Sequence, residues 1–269
     1  MRGTDRLDNH RRKTAVITDI TTEIGRNAAA FLAEKGYQLT LCIPKGKRLE
    51  TDIPSLNTDG GNPAVEVDFT DEADVLRLFQ TLPSVQVLFY NTLPDVTRSR
   101  VSRISQEEFA RFVEKDITSV VTAAKVFGTH MTNGSMIFLG SVHADKPNVA
   151  APLYSMYMGA LKNMVREAAV SFGTRKNRCN FIELGAMGGE DQLFCNDISY
   201  FYEGYSAKIP NGYVPTPQDI SQIVWFLAEN SAAVNGESIR ADSGLVLAYL
   251  DKLTNSRAYE RMRYEGCGD

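Results

Sequence analysis

The chain has 269 residues, of which 43% are hydrophobic and 23% are charged, with a formal net charge of −4. This length suits one large α/β domain, and the charge gives no basic excess of the kind that nucleic-acid binding requires. No apolar run approaches the ~20 residues that span a bilayer, and residues 1–13 lack the apolar stretch of a secretory signal. Since none of the four cysteines forms a C-x-x-C pair, we expect a cytoplasmic protein with reduced thiols and without a metal, nucleic-acid or membrane partner.

Short apolar runs alternate with longer helical patterns after a charged, aperiodic segment at residues 1–12, which predicts a flexible tail. The predicted strands cover residues 14–18, 38–43, 64–67, 85–90, 136–139, 180–184 and 237–241. The predicted helices cover residues 24–35, 72–81, 106–127, 153–172 and 217–229. This alternation predicts βαβ units, and therefore one doubly wound α/β domain at residues 13–250 with helices on both faces of a central parallel sheet. Residues 251–269 are interpreted as a C-terminal extension.

Ligands of doubly wound sheets bind beyond the carboxyl ends of the strands. Residues 186–213 follow one of these ends and are too long for an ordinary connection, so we expect them to form a substrate lid. The predicted lid carries four aromatic side chains, which favour an apolar or aromatic small-molecule substrate, and these are Tyr200, Phe201, Tyr202 and Tyr205.

Several motifs occur in an order that resembles the short-chain dehydrogenase/reductase family. Asp68 follows the third predicted strand, Asn91 follows the fourth, and Ser141 closes the fifth strand, thirteen residues before Tyr154. Residues 236–244 (GESIRADSG) resemble the family's closing G-x-x-[ILV]-x-[VA]-D-G-G motif. The resemblance runs from about residue 13 to residue 248, and it implies a Rossmann-like fold.

The resemblance also implies roles for particular residues. In the family the tyrosine is the general acid/base and the serine hydrogen-bonds the substrate oxygen, and these roles fall on Tyr154 and Ser141. The positions that match its cofactor motifs are Thr18, Gly25, Asp68 and Asn91. The helices at residues 106–127 and 153–172 match those that the family packs between subunits, which implies a homodimer or homotetramer.

The phosphate-binding motif of the family, T-G-x-x-x-G-x-G, departs from its pattern here. Residues 18–25 read TDITTEIG, so that only Gly25 remains of the three glycines. Asp19 and Glu23 place carboxylates where the backbone has to approach a pyrophosphate. Each would cost roughly 1–3 kcal/mol at ~5 Å from a phosphate. The alternative is that both carboxylates only stabilise the start of the helix.

The lysine of the family's Y-x-x-x-K motif is replaced by Met158. A thioether cannot lower the pKa of a phenol, so Tyr154 should stay neutral near pH 7. Lys162 lies one helical turn further along, where we expect a surface lysine. Asp116 takes the place of the helix asparagine that completes the family's proton relay.

The end of the second predicted strand has also changed. The acid that binds the adenosine ribose in the family is missing around Ile43 and Pro44. Lys45, Lys47 and Arg48 follow, and they either meet the 2′-phosphate of a dinucleotide or form a solvated turn.

These losses predict an enzyme without a nicotinamide cofactor, of the lyase, isomerase, cyclase or dehalogenase type. Ser141 and Tyr154 would polarise a substrate oxygen, and His143 would carry a proton near pH 7. Halohydrin dehalogenases are similar in keeping the last glycine and the Ser–Tyr pair, but they have an arginine where Met158 stands and an aromatic residue where Glu23 stands. Two alternatives stay open: a divergent NAD- or NADP-dependent oxidoreductase acting on a carbonyl or alcohol, and a non-catalytic partner subunit.

Overall fold

The computed structural model of the protein describes residues 13–49, 64–147, 151–188 and 209–247. Within them lies a seven-stranded sheet in the order β3-β2-β1-β4-β5-β6-β7, and every neighbouring pair of strands is parallel. The strands are β1 (Thr14–Ile17), β2 (Gln38–Pro44), β3 (Ala64–Val67), β4 (Val87–Tyr90), β5 (Ser135–Ser141), β6 (Arg178–Leu184) and β7 (Ser238–Ala241). The predicted fold class, a doubly wound parallel sheet flanked by helices, is confirmed.

The helices follow the predicted order, with one exception. They are α1 (Glu23–Glu34), α2 (Glu72–Thr81), α3 (Gln106–Phe112), α4 (Thr118–His130), α5 (Pro152–Ser171) and α6 (Pro217–Glu229). The single helix predicted at residues 106–127 is instead α3 and α4, joined by a π-helical turn at Val113–Ile117. Its apolar pattern could not reveal this turn, because a π turn changes the local backbone without interrupting the helix.

Capping residues explain where several helices begin. Asp71 accepts a hydrogen bond from the backbone N–H of Ala73 at the start of α2. Thr216 and Asp219 form a reciprocal capping box at the start of α6, with Pro217 in its first turn. These groups satisfy N–H donors that a helix leaves unpaired, so the starts of both helices could be read from the sequence.

A hydrophobic layer covers each face of the sheet. Helices α2, α4 and α5 pack on one face, where Phe127 and Phe138 are fully buried. Helices α1 and α6 pack on the other face, where Leu32 and Val224 are fully buried. Burying one such side chain is worth roughly 1.5–3 kcal/mol, so the two layers fix the strands whose carboxyl ends carry the candidate site.

Some predicted segments cannot be compared with the structure. The tail at residues 1–12, the extension at residues 251–269, and the lid residues Tyr200, Phe201, Tyr202 and Tyr205 lie outside the described ranges. Among the described helices, none is both long enough and apolar enough to cross a membrane.

Candidate active site

Ser141 and Tyr154 meet at the carboxyl end of β5. Ser141 is the last residue of β5 and Tyr154 lies in the first turn of α5, and both side chains are buried. The Ser141 hydroxyl lies close enough to the Tyr154 hydroxyl to lower the pKa of the phenol. The Ser141 Oγ also lies 3.3 Å from the carbonyl oxygen of Leu184. The structure therefore brings together the two hydroxyls that the sequence spacing predicts to be neighbours.

The surroundings of Tyr154 keep its phenol protonated. Burial raises the pKa of Tyr154, and the neighbouring Ser141 hydroxyl acts in the opposite direction without reversing that rise. Met158 is fully buried one turn later, and its Sδ would lie 3.2 Å from a Cβ placed on Gly140. A thioether packed against the strand at this point has no charge with which to stabilise a phenolate.

Lys162 belongs to a separate cluster, the four-charge ring of Asp145, Lys162, Glu183 and Arg240. The Lys162 Nζ lies 2.6 Å from Asp145 Oδ2 and 2.6 Å from Glu183 Oε1. Arg240 closes the ring, with its Nε 3.1 Å from Glu183 Oε2 and its Nη2 3.2 Å from Asp145 Oδ2. The expected surface position of Lys162 is wrong, because only 12% of its side chain is exposed. Its amine forms an ion pair with the buried Glu183 carboxylate.

His143 lies beside Tyr154 in the short 3-10 helix that follows β5. The two rings meet edge to face with their centroids 6.0 Å apart. The His143 Nδ1 lies 2.8 Å from the carbonyl oxygen of Lys146, which only accepts hydrogen bonds, so Nδ1 carries a proton. In the neutral imidazole, Nε2 is then the nitrogen that can accept a proton. Its catalytic role stays a prediction.

The turn between β1 and α1 is held by Asn91, which follows β4. The Asn91 Oδ1 accepts a hydrogen bond from the backbone N–H of Asp19 at 2.9 Å, and its Nδ2 donates to the Asp19 carbonyl at 2.6 Å. The Asn91 N–H donates to Thr18 Oγ1 at 2.9 Å. A Cβ on Gly25 would lie 1.9 Å from the Asp19 carbonyl oxygen, so the remaining glycine is required by this close approach.

Asp19 does not offer a free negative charge to a ligand, contrary to the sequence-based expectation. Its side chain is fully buried, and its Oδ2 lies 2.7 Å from Lys47 Nζ. Its Oδ1 accepts hydrogen bonds from the backbone N–H and the hydroxyl of Thr21 at 2.9 and 2.5 Å. Asp19 is also not the helix cap, because Thr22 occupies that position and accepts from the Gly25 N–H. Glu23 lies in the first turn of α1, as the alternative interpretation expected.

A cavity of ≈ 420 Å³ opens beyond the ends of β2, β3 and β4. Lys45 and Lys47 line it from the end of β2, and Asp68 lines it from the end of β3. The Lys45 Nζ lies 3.0 Å from Asp68 Oδ2, in a pair that is largely open to solvent. Hydrogen bonds from Thr70 and Lys45 lower the pKa of Asp68 against the opposing effect of burial. The cavity thus has two lysines on the side formed by the end of β2.

Further polar groups line this cavity, and among them the sequence pointed to Asp116. Asp116, from the π-helical turn, lines it together with Ser119, Tyr90 and Tyr157. The hydroxyls of Ser119 and Tyr157 lie beside that of Tyr90 and lower its pKa against the larger effect of burial. Burial raises the pKa of Asp116. A sequence pattern cannot show this cluster, because Tyr90 and Tyr157 lie on different elements.

Comparisons with known proteins cover most of the chain. A family model described as enoyl-(acyl carrier protein) reductase, of the short-chain alcohol dehydrogenase type, matches residues 21–246. A glucose 1-dehydrogenase of Gluconobacter oxydans is 28% identical over 247 residues, which span 87% of this chain and 92% of the relative. A hydroxynaphthalene reductase-like protein of Metarhizium anisopliae is 26% identical over 259 residues, with 87% and 95% of the two chains covered.

Solved structures share the fold. Acetoin dehydrogenase from Enterobacter cloacae superposes with a TM-score of 0.74 at 20% identity, covering 89% of this chain and 98% of that chain. A short-chain oxidoreductase from Pseudomonas aeruginosa superposes with a TM-score of 0.73 at 21% identity, covering 87% and 96%. That structure holds NADPH and is described as containing an atypical catalytic center.

These findings correct two predictions. The relatives are named as dehydrogenases and reductases, and one similar structure holds NADPH, so the predicted enzyme without a nicotinamide and the predicted absence of a cofactor are wrong. The prediction failed for a physical reason. It treated Asp19 as an unpaired charge, whereas Lys47 neutralises it.

Proposed function

Since the chain belongs to the short-chain dehydrogenase/reductase superfamily, we propose that it is an NADP-dependent oxidoreductase that interconverts a carbonyl and an alcohol. The observation that carries this proposal is the meeting of the buried residues Ser141 and Tyr154 at the carboxyl end of the parallel sheet. NADPH, when bound, supplies the hydride. Within the superfamily the chain has diverged at three motif positions, which are Asp19, Glu23 and Met158.

The two hydroxyls have complementary roles at the substrate oxygen. Tyr154 donates its proton to the oxygen of a carbonyl as that oxygen gains negative charge, and Ser141 donates a second hydrogen bond to it. His143 is the candidate for returning a proton to the phenolate, because its Nε2 can take up a proton from solvent and pass it on. Because the phenol is neutral and buried, this arrangement suits reduction of a carbonyl better than oxidation of an alcohol.

The residues at the sheet edge fit a dinucleotide. Gly25 allows the backbone of α1 to approach the preceding turn, since any side chain there would begin with a Cβ only 1.9 Å from the Asp19 carbonyl oxygen. We infer that Thr18, Gly25, Asp68 and Asn91 hold the cofactor. Lys45 lines the adjoining cavity, and no acid stands at the end of β2, which favours the 2′-phosphate of NADP over the free hydroxyl of NAD.

Several finer statements rest on the sequence and stay predictions. The lid aromatics Tyr200, Phe201, Tyr202 and Tyr205 favour an apolar or aromatic substrate, and they lie outside the described residues. The cytoplasmic location and the homodimeric or homotetrameric state are likewise predicted and not yet tested.

The proposal is tested by measuring binding and turnover together. Titration calorimetry with NADPH and NADH should show binding of both, with NADPH bound about tenfold more tightly because a charge-assisted contact to phosphate is added. NADPH oxidation should then be followed with a panel of ketones and aldehydes. Tyr154→Phe should lower the rate at least ~100-fold and leave the Kd for NADPH unchanged.

The matched control is Tyr37→Phe, which removes a hydroxyl bonded to Glu229 at the opposite end of the sheet. We expect this control to turn over at the wild-type rate. Failure of the wild-type protein to bind either dinucleotide would refute the proposal, as would an unchanged rate in Tyr154→Phe.

A further inference from the structure

We propose that Lys47 neutralises the buried carboxylate of Asp19, and that this pairing lets a turn without its usual first glycine accept the phosphates of a dinucleotide. The inference rests on the proposed function and extends it to one pair of residues. Lys47 is thereby a positioning residue for cofactor binding, distinct in role from its neighbour Lys45.

Within the described part of the chain, Lys47 is the one cation that contacts the Asp19 side chain. The carboxylate is fully buried between the β1–α1 turn and the end of β2. Thr21 satisfies one oxygen, and Lys47 Nζ contacts the other at 2.7 Å. A buried carboxylate that loses its cation is strongly destabilising, so the amine is needed even before a ligand binds.

Lys47 is placed to act on both the turn and the cavity. Its backbone N–H donates to the carbonyl of Pro44 at 2.9 Å, in a tight turn where Gly46 has a φ of 84°. Its side chain is 36% exposed and lines the cavity. The amine therefore lies between the Asp19 carboxylate and the space that a ligand can enter. The Asp–Lys pair carries no net charge, and in this respect it is equivalent to the glycine that Asp19 replaces.

Lys45 provides a contrast within the same turn. Its partner, Asp68, is partly exposed, and the Lys45 side chain is 65% exposed. Water can solvate both charges when Lys45 is removed, so its loss should remove one phosphate contact and nothing else. Loss of Lys47 should instead leave the negative charge of Asp19 uncompensated beside the phosphates, and a second change at Asp19 should remove that charge.

The test is a double-mutant cycle on the full chain. Lys47→Met, Asp19→Asn and the double variant are titrated with NADPH, and thermal unfolding is recorded without any nucleotide. We expect Lys47→Met to weaken NADPH binding at least ~10-fold and to lower the melting temperature. The double variant should return to within about threefold of the wild-type Kd and should recover most of the melting temperature. Lys45→Met, the control, should not be rescued by Asp19→Asn.

The outcomes separate this inference from the proposed function. Wild-type-like NADPH binding by Lys47→Met, or a double variant as weak as Lys47→Met, overturns the inference and leaves the proposed function standing. Absence of dinucleotide binding in the wild type overturns the proposed function and the phosphate half of the inference. If Lys47→Met does not fold, Asp19→Asn alone decides: binding within about threefold of the wild type or tighter supports the inference, and a loss of ~10-fold or more overturns it.

Discussion

Single residues decide the protonation state of the candidate acid. Tyr154 is buried, and the residue one turn after it is a methionine and not a cation. Burial raises the pKa of Tyr154, and the Ser141 hydroxyl offsets only part of that effect. A phenol that stays neutral can give up a proton to an alkoxide, but it is a poor acceptor of the proton that alcohol oxidation releases. This environment therefore favours the step in which Tyr154 acts as an acid.

The pH dependence of the reduction rate should reveal the raised pKa of Tyr154. The acid form of Tyr154 is the form that reduces a carbonyl, and its raised pKa keeps that form present as the pH rises. We expect the rate of NADPH-dependent reduction to stay level from about pH 8 to about pH 10, where an ordinary tyrosine with a pKa near 10 would begin to ionise. The measurement is kcat across this range, with circular dichroism as the control for unfolding. A decline with a midpoint below about pH 10 would contradict the prediction.

At this scale the sequence predicts partners that are close along the chain and misses those that are distant. Ser141 and Tyr154 are joined by one strand end and one helix start, so their spacing predicts their contact. Lys47 and Asp19 are 28 residues apart and meet only because β1 and β2 are neighbours. A carboxylate in a sequence carries no sign of which lysine approaches it, and this is why the sequence alone presents Asp19 as repulsive.

Among the secondary-structure elements, the four-charge ring joins four parts of the fold. Lys162 comes from α5, Glu183 from β6, Arg240 from β7, and Asp145 from the segment that follows Ser141 and His143. Glu183 is almost fully buried, so its charge has to be compensated inside the protein. The ring therefore ties the loop that carries the candidate catalytic residues to the edge of the sheet.

Lys162→Met should show how much this ring contributes. Removing the amine leaves the buried Glu183 with Arg240 alone, and we expect the free energy of unfolding to fall by about 3 kcal/mol. The matched control is Lys125→Met, which breaks an exposed 2.6 Å pair with Glu72 and should cost under about 1 kcal/mol. Both values are measured by urea denaturation. Equal losses in the two variants would show that the ring is no stronger than a surface ion pair.

The bounds of elements are predictable where chemistry marks them. Helices α2 and α6 begin and end at the predicted residues. Their starts are marked in the sequence by Asp71, which caps α2, and by the Thr-Pro pair at the start of α6. The π-helical turn at Val113–Ile117 has no such marker. The sequence predicts that β2 ends before Pro44, yet this proline is the last paired residue of that strand, where a missing N–H donor is tolerated.

On the scale of the whole molecule, the helices that the family resemblance places between subunits carry exposed apolar side chains. Phe109 and Val121 are nearly half exposed on α3 and α4, as is Met156 on α5. Val170, near the end of α5, is three-quarters exposed. Such side chains would gain free energy by burial against a second copy of the chain.

Charged substitutions on these helices should therefore dissociate the protein. We expect wild-type protein to elute as a dimer or tetramer, and Val121→Lys combined with Met156→Lys to elute as a monomer, because two unpaired charges would be buried in the contact. Size-exclusion chromatography with light scattering measures this. Val101→Lys, at a highly exposed residue outside these helices, is the control and should keep the wild-type mass. A monomeric wild type would contradict the prediction.

The overall architecture is predictable because it depends on alternation and not on any single residue. Seven apolar runs separated by helical patterns allow few arrangements other than a parallel sheet with right-handed crossovers. The cofactor is not predictable in the same way. We infer that it depends on the net charge of one turn, and that charge is set by a contact between the segments that follow β1 and β2.

The π-helical turn at Val113–Ile117 determines which side of the following helix, α4, faces the sheet. One residue corresponds to about 100° of rotation in a regular helix. Were the turn shortened by a residue, the buried side chains of α4, such as Ala123 and Phe127, would swing away from the sheet, and the register of Asp116 relative to the cavity would be lost. This segment therefore tolerates exchange of side chains more readily than any change in its length.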